Sequence, residues 1–117
     1  MISTPGPDAE RLRRIADNEA LFRSVNERVQ ELDESFSTLT DTFVIVCECG
    51  TQSCMEQIEV QPAEYERVRQ NPLHFLIKPG HEFSEVDDVI ERTDRYWVVE
   101  KDSGPPADVA RETDPRS

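Results

Sequence analysis

The residues with most chemistry to offer are three cysteines set close together, Cys47-Glu48-Cys49-Gly50 and then Cys54, with two histidines downstream, His74 and His81. Thiolates and imidazoles arranged as a tetrahedron are the usual ligands of a structural zinc ion. Cys47 and Cys49 stand two apart, so on a strand both side chains leave the same face. Gly50 follows at once and is expected to take a positive φ, folding the chain back with amide groups turned toward the sulfurs. Cys54 then returns to the same place. A fourth ligand is still needed. His81 follows Lys78-Pro79-Gly80, a turn that can present a side chain at a strand end, and is preferred on that ground to His74 at a strand start. A carboxylate such as Glu48 or Glu82, or a water, is the remaining option, and Glu82 is also a candidate partner for the histidine. The expected site is therefore Zn2+ held by Cys47, Cys49, Cys54 and His81.

Other uses of the thiols fit less well. An odd number of cysteines does not make a disulfide scaffold, and in a reducing cytosol clustered thiols serve more often as metal ligands or redox groups. Iron–sulfur motifs usually supply four cysteines, and the chain has three. Catalytic patterns are missing or incomplete. Cys54-Met55-Glu56 has the C-x-E spacing of zinc deaminases, without the P-C-x-x-C that should follow. His81-Glu82-Phe83-Ser84-Glu85 offers no second histidine for H-E-x-x-H, and neither a P-loop, a G-x-G-x-x-G nor a G-x-S-x-G is present.

These residues need a scaffold. A chain of 117 residues has room for one small domain with a helical appendage, and a modest core gains from a metal staple. From residue 9 to 36 no Gly or Pro interrupts a helical pattern. Ile15, Phe22, Val29 and Phe36 recur every seven residues, and Val25 and Leu32 fall three later in the repeat, as does the polar Asn18. This heptad seam either packs on its own domain or pairs with another helix, and Asn18 at a seam position could set the register of such a pair. Ile15, Phe22, Val25, Val29 and Leu32 are the interaction residues this reading names.

After a linker at 37–42, Phe43 to Glu48 reads as a buried strand ending in the first thiol, and Met55 to Val60 as a half-exposed one. Pro62 starts a short helix to Gln70, stopped by Asn71-Pro72. Phe75-Leu76-Ile77 is a third strand, and Val89 to Arg92 with Tyr96 to Glu100 form a hairpin around Thr93-Asp94. The expected fold is α+β: a long N-terminal helix, then a small mainly antiparallel sheet with one short helix, stapled by metal. Its parts are a disordered N-terminus at 1–8, the amphipathic helix at 9–36, the zinc-stabilised domain at 43–101 and a flexible acidic tail at 102–117.

The net charge is −12, from 25 acidic and 13 basic residues. Phosphate backbones are repelled by such a surface, which disfavours nucleic acid as a partner. No apolar run of about 18 residues exists to span a membrane, and Met1 to Pro7 lacks the basic start and apolar stretch of a secretory signal. The expected location is the cytoplasm.

Across Asn18-Glu19-x-Leu21-Phe22-Arg23-x-Val25-Asn26-Glu27, Cys47-Glu48-Cys49-Gly50, Cys54, Glu64-Tyr65 and Pro79-Gly80-His81-Glu82, the chain resembles a group of small uncharacterised actinobacterial proteins. The likeness covers most of residues 10–101 and implies a bacterial cytoplasmic setting, with no activity attached. The C-x-C-G element itself resembles a zinc knuckle whose ligand pair is spaced more tightly than C-x-x-C. The functional expectation is a small acidic zinc-stabilised binding or regulatory module, acting through protein–protein contacts of its helix, with a partner or a second copy, and not through catalysis. A thiol or zinc redox or metal sensor is the second reading, and a nucleic-acid-associated zinc module the third.

Overall fold

The computed structural model describes residues 7–36, 42–51, 53–54, 56–83, 86–101 and 105–115. The element order is α1 (Pro7–Phe36), β1 (Phe43–Val46), β2 (Gln57–Val60), α2 (Pro62–Arg69), β3 (His74–Ile77), β4 (Asp87–Arg92), β5 (Trp97–Lys101) and α3 (Pro105–Glu112). It is an α+β fold. The strands make an antiparallel β1–β2 pair and an antiparallel sheet in the order β3-β5-β4. None of the helices described is long and apolar enough to cross a membrane.

Alternation sets which strand residues face the core. Phe43 and Ile45 of β1 stand opposite Val60 and Ile58 of β2, and all four are buried, while Val44 between them is exposed. In β3 the run Phe75-Leu76-Ile77 is buried throughout, because this strand lies within the core rather than on one side of it. Tyr65 and Val68 of α2 cover the same core, with the Tyr65 ring edge-on to Phe43 at 5.4 Å. The end of β1 crosses to the second sheet: the Glu48 amide donates to the Leu76 carbonyl at 2.8 Å, and the Cys47 amide to that of Glu56 at 2.8 Å. The cysteine segment is therefore held between the two sheets.

The long helix departs from the heptad expectation. Ile15, Ala16, Ala20 and Phe22 are buried, and so are the polar Glu19, Arg23, Asn26, Glu27 and Gln30. Leu21, Val25 and Leu32 are exposed, at 59, 41 and 52 %. At about 3.6 residues per turn, Ile15, Glu19, Asn26 and Gln30 lie on one side of the helix and Leu21, Val25 and Leu32 on the other. The five seam residues are thus divided. Ile15 and Phe22 are taken up inside the chain, Val29 packs at the edge of the core, and Val25 and Leu32 point outward. Asn18 is engaged within the chain, donating to the Gly50 carbonyl at 2.9 Å.

The chain's end also differs from expectation. Residues 105–112, read as part of a flexible acidic tail, form α3. Its Ala107 and Ala110 are buried, and Arg23 of α1 donates to the Ala110 carbonyl at 2.7 Å. Small residues let the helix approach closely, and a guanidinium on a late carbonyl stabilises its C-terminal end. The N-terminal residues 1–6, most of the 37–42 linker and residues 102–104 lie outside the described residues.

Candidate metal centre

Three elements bring the site together. The segment that follows β1 supplies Cys47 and Cys49, the turn after it supplies Cys54, and the turn after β3 supplies His81. One ligand atom from each of these four residues lies within 4.8 Å of every other. Three cysteines and a histidine so placed can bind a metal ion. His81 Nδ1 stands 3.6 Å from Cys47 Sγ and 3.7 Å from Cys54 Sγ.

Each approach has a local cause. His81 is the last residue of the turn Lys78-Pro79-Gly80-His81, closed by its amide on the Lys78 carbonyl at 3.1 Å. Pro79 fixes its own φ, and Gly80 sits at φ +86°, the pattern of a type II turn. Among the described residues nothing lies within 4 Å of where a Gly80 Cβ would be, so conformation and not space calls for glycine there. Gly50 is the reverse case. Its φ is not positive, against expectation, but a Cβ on it would stand 2.3 Å from Ile15 Cγ2. Glycine is needed there because α1 crosses directly over the cysteine segment.

The sulfurs are held by amides. Lys78 N–H donates to Cys47 Sγ at 3.2 Å, and the amides of Cys49, Thr51 and Glu56 bond to Cys47, Cys49 and Cys54 respectively. Such bonds favour thiolate and fix the ligands' direction. The thiols do not hold their protons equally. A hydrogen bond from Cys47, helped by the Thr51 amide and His81, holds Cys49 down at about 4 against the cost of burial. The same bond, and then burial, push Cys47 up, and burial pushes Cys54 up. A bound cation would displace the protons that remain.

The other ligand candidates are occupied elsewhere. His74 Nε2 pairs with Glu100 at 2.8 Å. Glu48, fully buried, is paired with Arg69 and accepts from Asn26 Nδ2 at 2.7 Å and from the Leu76 amide at 2.9 Å. Glu82 is outside the four-residue cluster, and its Oε2 has no hydrogen-bond partner among the described residues.

Behind the site lies a buried polar layer that sequence reading missed. Lys101 is ion-paired with both Glu19 and Asp87, and all three are buried. Arg23 donates to the carbonyls of Pro72 at 2.6 Å and Ala110 at 2.7 Å. Asn26 behaves as a strand neighbour, accepting the Val46 amide and donating to the Val46 carbonyl, each at 2.8 Å. The Phe75 ring is the hub, with the Arg23 guanidinium 4.7 Å, the Lys101 ammonium 5.2 Å and the Arg69 guanidinium 5.9 Å from its centroid. The signal was in the sequence. Glu19, Arg23, Asn26 and Gln30 recur at helical spacing on the face that carries Ile15, but polar side chains at that period read as a solvated face.

Comparison of the chain with protein families, with curated proteins and with solved structures gives no match.

Proposed function

We propose that the chain is a zinc-stapled α+β binding module that acts through protein–protein contacts of its long helix and not by catalysis. One observation carries the zinc reading: the separations within the Cys3His cluster. A tetrahedral zinc with bonds of about 2.3 Å to sulfur and about 2.0–2.1 Å to nitrogen requires S···N edges of about 3.6 Å. Two of the three sulfur–nitrogen distances, from Cys47 and Cys54, are 3.6 and 3.7 Å. Four protein ligands leave no open coordination position, so such an ion stabilises the fold and does not activate water. The working surface is then the outer side of α1, where Leu21, Val25 and Leu32 form an exposed apolar stripe.

Substituting Val25 and Leu32 with Asp tests the surface. Self-association or capture of a protein partner should be lost while the metal stays bound. Unchanged mass and unchanged partner profile would remove this reading of α1. The sensor reading has an observation of its own: Cys54 and His81 are only half-buried, which gives an oxidant or a chelator a route to the site. It predicts metal release under mild peroxide with a change of shape. Nucleic-acid binding gains nothing, because Arg23, Arg69 and Lys101 are buried and withdrawn from an already acidic surface.

A further inference from the structure

Five consecutive residues face two ways. Cys47 and Cys49 turn their sulfurs into the Cys3His cluster. Val46, Glu48 and Gly50, which alternate with them, each address α1. Val46 exchanges both backbone groups with Asn26, Glu48 Oε2 accepts from Asn26 Nδ2, and the Gly50 carbonyl accepts from Asn18 Nδ2. Gly50 also meets Ile15 so closely that no Cβ fits between them. The segment that brings the thiols to one centre thereby also brings Val46, Glu48 and Gly50 to the helix.

We propose that metal occupancy of this cluster controls whether α1 is docked on the domain, a regulatory coupling that rests on the zinc reading above. The contact is built for sensitivity to position. Most of the buried side of α1 is polar, with Glu19, Arg23 and Asn26 among its fully or nearly fully buried residues. Hydrogen bonds weaken steeply with displacement and misalignment, whereas an apolar face tolerates sliding. Between Cys49 and Cys54 the turn is closed on itself, among the described residues, by a backbone bond from the Cys54 amide to the Thr51 carbonyl at 3.0 Å. The ion is what would fix that turn, and with it the Gly50 carbonyl and the Ile15 contact. An α1 that lifts away exposes Ile15 and Phe22 and leaves the partners of Asn26 unsatisfied. By linkage the coupling is reciprocal: the factor by which bound zinc favours α1 docking is the factor by which docked α1 favours zinc binding.

The test uses the full chain with zinc ion alone as the probe. Amide hydrogen exchange over residues 10–32 is compared with zinc bound and after chelation, and zinc affinity is measured by competition with a chromophoric chelator. Zinc removal should lower protection across α1 by about 10-fold or more, and Asn26→Ala and Asn18→Ala should each weaken zinc binding by about 5-fold or more, the lower end of the range for a coupling between two sites. Should Asn26→Ala fail to fold, Asn18→Ala, which loses only a part-buried bond to Gly50, and the wild-type pair of measurements still decide. Bound zinc with unchanged α1 protection overturns the coupling alone. So does protection lost equally over α1 and β3-β5-β4, because the ion then supports the fold at large. A wild-type chain that binds no zinc overturns the metal reading and the coupling with it.

Discussion

Replacing Lys101 with Met is the sharpest test of the buried polar layer. Lys101 is 3 % exposed, and its ammonium is ion-paired with Glu19 and Asp87, themselves 1 and 5 % exposed. Methionine keeps most of the stem's volume and removes the charge, which leaves two carboxylates buried together without their cation. Breaking a buried pair in this way costs about 3–5 kcal/mol. A chain of 117 residues has a total stability of about 6–18 kcal/mol at ~0.05–0.15 kcal/mol per residue. The variant should therefore lose a large share of its stability, and at about 4 °C per kcal/mol its Tm should fall by about 12–20 °C. Urea unfolding followed by Trp97 fluorescence, with metal present throughout, measures the loss. Adding Glu19→Gln and Asp87→Asn to Lys101→Met removes the stranded charge and should recover at least half of it. A Lys101→Met chain that loses less than about 1 kcal/mol, the size of an exposed pair, would refute the account of a dry ionic layer beneath α1.

Further outcomes follow from other contacts. Gly50→Ala forces a methyl to 2.3 Å from Ile15 Cγ2 and should cost about 1–3 kcal/mol; Ile15→Ala in that background should cost clearly less than it does alone, a non-additivity that a double-mutant cycle in urea measures. The Tyr96 phenol is pushed up to about 12, first by burial and then by its hydrogen bond to Glu64, so the proton it holds stabilises the fold fully below pH 10 and that contribution is lost as pH rises through about 12. An ultraviolet phenolate step near pH 12 should be present in the wild type and absent from Tyr96→Phe. Glu64 runs the other way. Burial alone would raise it, but hydrogen bonds from Tyr96 and the Gln61 amide, with Arg95, hold it below its usual range, so its contribution is present above pH 4.5 and fades as acid protonates it; Glu64→Gln should flatten the acid limb of the stability curve.

The cluster was legible because its ligands carry their own chemistry. Three thiols within one short segment and a histidine after Pro79-Gly80 could be placed on a shared centre from their spacing and turn propensity, although β1 ends at Val46 and Cys47 and Cys49 lie beyond it and not on a strand face. The strands were legible for the same kind of reason, as in Ile58 and Val60 with their exposed neighbours. What the sequence concealed is the inner face of α1. Apolar residues at period seven, Val25 and Leu32 among them, suggested the buried seam, yet Glu19, Arg23 and Asn26 face the core. A buried polar group is acceptable only where its partner stands, and the partners, Lys101 for Glu19, the Pro72 and Ala110 carbonyls for Arg23 and Glu48 for Asn26, are distant in sequence. Gly50 was assigned to a backbone need when its cause is the close passage of Ile15. The helix α3 was missed because the buried apolar residues among those described in it are two alanines, Ala107 and Ala110, which pack beside α1.

Metal content tests the central claim most directly. Elemental mass spectrometry on protein purified without an affinity metal, for the wild type and His81→Ala, should find one zinc per wild-type chain and clearly less in the variant, since His81 Nδ1 faces two of the three sulfurs. A wild-type chain that carries no zinc and takes none up, with all three thiols open to titration under native conditions, would contradict it.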